Sequence, residues 1–206
     1  GTTFKFDIPV GIVDAAEIES EQPSRRIIAL EPNQPRYRIL IVDDQENNRQ
    51  LLIKLLNPFG FELQAVSNGR EAVEIWSKWQ PHFIWMDMRM PVMDGYEATQ
   101  WIRTIEKKIT AAGNKGILKA EKVNGNASSV MLPTRTAIVA LMASTLEAER
   151  AAALAGGCDD FIRKPFREEE IFDAMNKHLG VRYVYEGASY LAGSLSIQEQ
   201  ALTPAD

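Results

Sequence analysis

Four charged side chains in this sequence have the types and positions that phosphoryl chemistry requires. Asp43 and Asp44 follow the apolar run at 39–42, and Asp87 ends a second apolar run. Lys164 follows a shorter apolar segment later in the chain. An aspartate can act as a phosphoryl acceptor, and a lysine ammonium can hold a phosphoryl oxygen. These residues are therefore the candidate site.

The three carboxylates predict a metal ion. Like charges brought close together raise each other's pKa unless a cation neutralises them. Mg²⁺ prefers hard oxygen ligands, and it is usually held by one or two carboxylates together with water and phosphate oxygens. Phosphoryl transfer depends chiefly on positioning and charge neutralisation, which Mg²⁺ and a lysine supply. The chemistry requires no histidine or serine base.

The elements that must position these residues are apolar strands alternating with amphipathic helices. Such alternation predicts an α/β fold with right-handed crossovers and helices on both faces of a parallel sheet. We expect a doubly wound five-stranded sheet of order 2-1-3-4-5, in which Asp43, Asp44 and Asp87 meet at the switch point between strands one and three. The predicted strands lie at 38–44, 61–66, 83–87, 137–141 and 160–163, and the last two helices at 146–155 and 167–179.

The remaining segments divide the chain. Residues 1–10 alternate apolar and polar side chains like a half-buried strand, and 11–35 are rich in glutamate and proline and predict a linker. Ordered structure should resume near Tyr37, and the main domain should end at 180, followed by a tail or linker at 181–206. Residues 107–136 are rich in Gly, Asn, Ser and Lys, and they predict a flexible insert at the amino-terminal edge of the sheet, away from Asp87.

Composition narrows the class of protein. The 206 residues are 45% hydrophobic and 25% charged, with a net charge of −5. This balance does not favour a nucleic-acid partner or an anionic membrane surface. A single cysteine, Cys158, excludes an internal disulfide and suits a reducing compartment. No apolar run reaches bilayer-spanning length, so we expect a cytoplasmic fragment without membrane contact, whose parent could still be membrane-anchored.

Residues 36–180 resemble the receiver domain of two-component response regulators. The resemblance implies a flavodoxin-like receiver fold. The segments that carry it are Ile39-Leu40-Ile41-Val42-Asp43-Asp44, Met86-Asp87-Met88-Arg89-Met90-Pro91, Asp94-Gly95 and Lys164-Pro165.

The resemblance also implies a role for each site residue. Asp87 would accept a phosphoryl group from a kinase histidine. Asp43 and Asp44 would position Mg²⁺ together with Asp87 and the backbone carbonyl of Arg89. Lys164 would hold the phosphoryl oxygen, and the peptide bond before Pro165 would be cis.

Two positions bear on how phosphorylation would be read out. Phe161 falls at the family's aromatic switch position, and without a hydroxyl it can respond only by packing. Met142 stands where receivers usually carry Ser or Thr, and its thioether cannot donate a hydrogen bond to a phosphoryl oxygen. Ser144, two residues further on, is an alternative donor. We therefore expect Asp87 to be phosphorylatable but its conformational coupling to be weakened or altered.

The first ten residues add a second resemblance. Gly1-Thr2-Thr3-Phe4-Lys5-Phe6-Asp7-Ile8-Pro9 is similar to the last turn and strand of the ATP-binding domain of sensor histidine kinases. A receiver joined behind that strand by a linker is the layout of a bacterial hybrid sensor histidine kinase. The expected partners are then a kinase transmitter in the same parent chain and a histidine phosphotransfer protein. This fragment alone should not bind ATP.

Two rival functions follow from the same residues. A degenerate receiver would act as an interaction module without phosphorylation, which Met142 favours and the intact acids and lysine oppose. An aspartyl-phosphate phosphatase of the haloacid dehalogenase type would need a second acid two residues beyond the nucleophile, where Arg89 stands.

Overall fold

The structure, a computed structural model, describes residues 26–111, 135–143 and 146–186, together with positions 3 and 5. Within these residues, no helix is both long enough and apolar enough to span a bilayer. The strands are β1 (Ile27–Leu30), β2 (Arg38–Val42), β3 (Glu62–Val66), β4 (Phe83–Asp87), β5 (Ala137–Met142), β6 (Asp160–Arg163) and β7 (Tyr183–Tyr185). The α-helices are α1 (Glu46–Leu56), α2 (Gly69–Trp79), α3 (Gly95–Ala111), α4 (Glu147–Gly156) and α5 (Glu168–Leu179), and a 3₁₀ turn at Asn57–Phe59 follows α1.

Five parallel strands form the central sheet in the order β3-β2-β4-β5-β6. This is the predicted order 2-1-3-4-5, so the predicted α/β, flavodoxin-like fold is confirmed. Every residue of β4 is buried, as expected of a central strand with helices on both faces. Because β2 and β4 are parallel neighbours with Val42 opposite Met86, their carboxyl ends lie side by side.

Alternate side chains of each strand enter two separate apolar layers. Ile39 and Ile41 pack with residues of α1 and α5, whereas Leu40 and Val42 pack with residues of α2, α3 and α4. All four of these β2 side chains are fully buried. The period of two along a buried strand therefore builds both cores at once.

A second, two-stranded sheet lies outside the receiver boundaries that the sequence predicts. Antiparallel pairing joins β1 to β7, with Leu30 opposite Tyr183. Tyr183 is buried and its hydroxyl donates to the carbonyl oxygen of Phe172 in α5 at 3.0 Å. Ordered structure therefore begins before the predicted position near Tyr37, and a strand follows the predicted domain end at 180. Each strand is short, and its partner lies at the other end of the domain.

The predicted insert at 107–136 also begins too early, because α3 continues to Ala111. Arg103 is buried and pairs with Glu106 at 2.7 Å, which supports the later turns of this helix. The chain re-enters the described part at Arg135, where the N–H of Ala137 donates to the carbonyl of His82 at the amino-terminal side of β4. Residues 112–134, the strand expected at 1–10, Ser144 and the residues after 186 lie outside the described residues.

Candidate functional site

Three carboxylates come together where β2 and β4 end. Asp43 and Asp44 directly follow β2, and Asp87 is the last residue of β4. One carboxylate oxygen from each of the three lies within 4.8 Å of the others. Asp43 is fully buried and Asp87 is 8% exposed, whereas Asp44 is only half-buried. The cluster therefore has a buried floor and an accessible side.

Hydrogen bonds hold the buried Asp43 carboxylate in place. The backbone N–H of Gln45 donates to its Oδ1 at 2.9 Å, and the Asn48 side-chain amide donates to the same oxygen at 3.0 Å. The Arg49 guanidinium donates to the carbonyl oxygen of Asp43 at 2.6 Å. The first turns of α1 thus support the acid that precedes them, because burial of a carboxylate is costly without hydrogen-bond donors.

Lys164 lies between two of the acids. Its Nζ is 2.6 Å from Asp43 Oδ2 and 2.7 Å from Asp87 Oδ2. Burial alone would lower the pKa of Lys164, but the hydrogen bonds to the two carboxylates outweigh burial, and the pKa is raised. Lys164 is therefore protonated at neutral pH beside Asp87. Its position follows from β6, since its own backbone N–H donates to the carbonyl of Met142 at 2.7 Å, and its peptide bond with Pro165 is cis.

The Asp87 carboxyl is held on both oxygens. Its Oδ1 accepts the backbone N–H of Arg89 at 3.1 Å, while its Oδ2 faces Lys164. Burial raises the pKa of Asp87, and this effect outweighs the hydrogen bonds from Lys164 and Arg89, which lower it. A carboxylate that is poorly hydrated but oriented by fixed donors is suited to nucleophilic attack.

An open groove of about 520 Å³ leads to this cluster. The loop from β4 to α3 forms much of its wall and is fixed at both ends: Gly69 N–H donates to the Met93 carbonyl at 2.9 Å, and Gly95 N–H to the Met88 carbonyl at 3.2 Å. A Cβ on Gly95 would lie 2.3 Å from the Asp87 carbonyl oxygen, so only glycine permits this approach. The groove is lined by Asp44, Met88, Arg89, Met90, Pro91, Asp94 and Tyr96.

The donor set fits a hard divalent cation. Asp43, Asp44 and Asp87 provide carboxylate oxygens, and Arg89 lines the groove two residues beyond Asp87. Oxygen-only ligands with room for water match Mg²⁺ better than a soft metal, which would favour cysteine or histidine.

The two predicted readout positions are not among the residues that line the groove. Met142 ends β5, is 4% exposed and belongs to the apolar layer on the α2, α3 and α4 side. Phe161, in β6, is half-buried against the same layer. The guanidinium of Arg150 lies 4.6 Å from the centre of the Phe161 ring.

Sequence reasoning missed several residues that touch this region. Asn48 supports Asp43, and Glu149 and Arg150 of α4 contact Arg89 and Phe161 respectively. Asn48 carries a weak signal, because a polar side chain in the first turn of a helix often faces the preceding loop. Glu149 and Arg150 carry none, since their partners are distant in sequence.

The chain is similar in sequence to known proteins. Residues 39–113 match the family model described as the response regulator receiver domain. The chain is 34% identical over 163 residues to the response regulator mcs4 of Schizosaccharomyces pombe, covering 76% of this chain and 30% of that protein. It spans less than a third of the length of the first curated relatives it matches.

Two solved structures are similar in fold and in sequence. The first is the receiver domain of Ssk1 from Saccharomyces cerevisiae, crystallised with the histidine phosphotransfer protein Ypd1. Its TM-score is 0.56 at 28% identity, covering 70% of this chain and 89% of that one. The second is the receiver domain of the sensor histidine kinase PA1611 of Pseudomonas aeruginosa, with magnesium coordinated in its active-site cleft. Its TM-score is 0.53 at 28% identity, covering 71% of this chain and 99% of that one.

Proposed function

This chain carries a response regulator receiver domain, and we propose on that premise that Asp87 accepts a phosphoryl group from a histidine in a two-component phosphorelay. The observation that carries the proposal is the position of Lys164, whose ammonium lies within 2.7 Å of both Asp43 and Asp87. A cation fixed beside a buried carboxylate can stabilise the charge of an incoming phosphoryl group.

The proposed transfer conserves atoms and charge. The bond between phosphorus and the donor imidazole nitrogen breaks as a bond forms between phosphorus and one carboxylate oxygen of Asp87. The imidazole leaves with the electron pair of the broken bond and can then take up a proton. The protein provides chiefly orientation and positive charge, because phosphoryl transfer needs little covalent assistance.

Asp43, Asp44, Asp87 and the backbone carbonyl of Arg89 would hold Mg²⁺ in this proposal. Bound there, the ion would neutralise charge on the phosphoryl oxygens and on the three carboxylates. The magnesium in the related receiver of PA1611 supports this assignment. Asp43 would also keep its hydrogen bond from Asn48, which orients the buried ligand.

The proposed partners are a histidine kinase transmitter and a histidine phosphotransfer protein. The complex of Ypd1 with the Ssk1 receiver supports the second. The similarity of residues 1–9 to the end of a kinase ATP-binding domain supports a transmitter in the same parent chain. We therefore propose that this receiver belongs to a hybrid sensor histidine kinase.

Acetyl phosphate tests the acceptor directly. In the presence of Mg²⁺, the bond from phosphorus to acetate should break as the bond to Asp87 forms, and the intact protein should gain the mass of one phosphoryl group. Asp87→Asn should show no gain, because an amide is a poor nucleophile. Removal of Mg²⁺ with a chelator should slow the gain strongly.

The same experiment separates the rival function. The observation that favours a phosphorylation-independent interaction module is Met142, which places a thioether where a hydroxyl is expected. If the unsubstituted chain gains no more mass than Asp87→Asn on treatment with acetyl phosphate, the phosphoacceptor proposal is abandoned in favour of the interaction module.

A further inference from the structure

The groove and helix α4 are connected by an ion pair. The guanidinium of Arg89 contacts the carboxylate of Glu149, a residue 60 positions later in the chain. The Arg89 side chain is 75% exposed and that of Glu149 is 24% exposed. Tyr96 and Arg89 both line the groove. The loop after Asp87 is thus tied to the first turn of α4.

The next residue of α4 makes the second connection. The Arg150 guanidinium lies over the Phe161 ring at 4.6 Å from its centre, in cation–π geometry, and also lies 3.7 Å from Glu147. Adjacent positions of one helical turn therefore contact the loop after Asp87 on one side and β6 on the other.

Among the described residues, α4 buries little of its surface. Ala153 is its one buried residue, whereas α5 buries four side chains. Helices with few buried apolar contacts open and shift at low free energy. Polar contacts at such a helix can therefore set its position.

We propose that the first turn of α4 couples the chemical state of Asp87 to the packing of Phe161, through Arg89, Glu149 and Arg150. This coupling needs no hydroxyl at Met142. It rests on the proposed phosphorylation of Asp87. Glu149 and Arg150 are positioning residues in it and do not touch the phosphoryl group.

The relative strengths of two ion pairs give the coupling its direction. An exposed pair such as Arg89–Glu149 contributes little to stability, whereas an arginine and a phosphoryl group form strong bidentate hydrogen bonds. Phosphorylation places new negative charge two residues from Arg89. The guanidinium leaves Glu149 for the phosphoryl oxygens, the first turn of α4 is released, and Arg150 moves off the Phe161 ring.

The test uses the 206-residue chain and its Phe161 ring resonances, assigned with Phe161→Leu. In Glu149→Gln the ion pair is lost while the Arg150 side chain is retained. Without phosphate, its Phe161 resonances should move toward those of the phosphorylated, unsubstituted chain. With acetyl phosphate and Mg²⁺ it should still gain phosphate by mass but lose most of the further shift. Arg150→Gln should lose the phosphate-dependent shift as well.

The matched control is Glu74→Gln, which removes an exposed ion pair of α2 with Lys78 at 2.6 Å. It should retain the full phosphate-dependent shift of Phe161. If Glu149→Gln gains phosphate and shows the same Phe161 shift as the unsubstituted chain, α4 does not carry the coupling.

Failure of the proposed function would be recognised separately, because the unsubstituted 206-residue chain would then gain no phosphate. The coupling would then be tested on the unphosphorylated proteins, by their Phe161 resonances and by deuterium uptake of α4. Glu149→Gln with unchanged Phe161 resonances and unchanged uptake at 147–156 would overturn it. If Glu149→Gln changes both the Phe161 resonances and the deuterium uptake at 147–156, and Glu74→Gln changes neither, the physical link from the groove loop to Phe161 is supported.

Discussion

Single residues at this site are defined by charges that compensate one another. Lys164 and Asp43 are both largely buried, and each would be costly alone in a region of low dielectric constant. Paired, they leave Asp87 with one oxygen facing a cation and the other facing a backbone N–H. The chemistry of the site is therefore a property of this set and not of any one acid.

Met142 is the residue whose substitution should change the response most selectively. We expect Met142→Thr to gain phosphate on Asp87 as the parent does and to show a larger phosphate-dependent shift of the Phe161 ring by NMR, because the new hydroxyl can donate to a phosphoryl oxygen. Loss of the buried thioether should lower the free energy of unfolding by about 2 kcal/mol.

The control for this prediction is Ala143→Thr, which adds the same hydroxyl at the exposed neighbouring position and should leave the Phe161 response unchanged. An unaltered Phe161 response in Met142→Thr would show that Met142 does not limit the coupling.

At the scale of elements, the start of α3 is fitted closely to the end of β4. Gly95 begins α3, and its N–H donates to the Met88 carbonyl at 3.2 Å. Main-chain atoms of Asp87 and Met88 occupy the space that a Cβ on Gly95 would need. The helix that follows the groove loop is thereby held against the strand that carries the acceptor.

Gly95→Ala should therefore destabilise the fold and disturb the site together. The new Cβ would lie 2.3 Å from the Asp87 carbonyl oxygen, and backbone atoms can relieve such a contact only by shifting. We expect a loss of about 1–3 kcal/mol in urea unfolding and slower phosphate gain from acetyl phosphate.

Gly156→Ala in α4 is the control, because its Cβ would meet only Tyr96 Cδ1 at an ordinary 3.9 Å. It should be neutral or stabilising by under about 1 kcal/mol. Equal effects of the two substitutions would mean that the close approach at Gly95 is not what limits the site.

At the scale of the whole molecule, the β1–β7 pair joins the segment before the central sheet to the segment after it. Arg182 makes several of the links: its N–H donates to Gln34 Oε1 at 2.7 Å, and its guanidinium pairs with Glu31 at 2.7 Å. Tyr183 buries its ring against Phe172 of α5, with ring centres 5.3 Å apart. Residues before 36 and after 180, outside the predicted limits of the domain, therefore pack against it.

Disruption of this pair should cost stability without changing the acceptor chemistry. Tyr183→Ala removes a ring that is 6% exposed and a hydrogen bond to α5, so we expect the free energy of unfolding to fall by about 3 kcal/mol. Urea unfolding measures the loss, and phosphate gain on Asp87 under native conditions should be unchanged.

Ile28→Ala, at a β1 side chain that is 55% exposed, should change stability by less than about 0.5 kcal/mol. If Tyr183→Ala were no more destabilising than Ile28→Ala, the β1–β7 pair would not be part of the cooperative fold.

The sequence by itself determined the central sheet and the placement of the candidate acids. Apolar runs bounded by turns mark the strands, the handedness of crossovers limits their order, and residues after parallel strands must meet at one edge. The positions of Asp43, Asp87 and Lys164 after parallel strands therefore assign them to one edge of the sheet from the sequence alone.

Only the tertiary structure decided the contacts that join distant segments through single side chains. Three such contacts are the pairing of Leu30 with Tyr183, the Arg89–Glu149 ion pair and the position of Arg150 over Phe161. Their residues are distant in sequence or show no distinctive sequence pattern. No periodicity encodes such contacts, because they depend on how packed elements happen to face each other and on charges whose local sequence resembles any solvated surface.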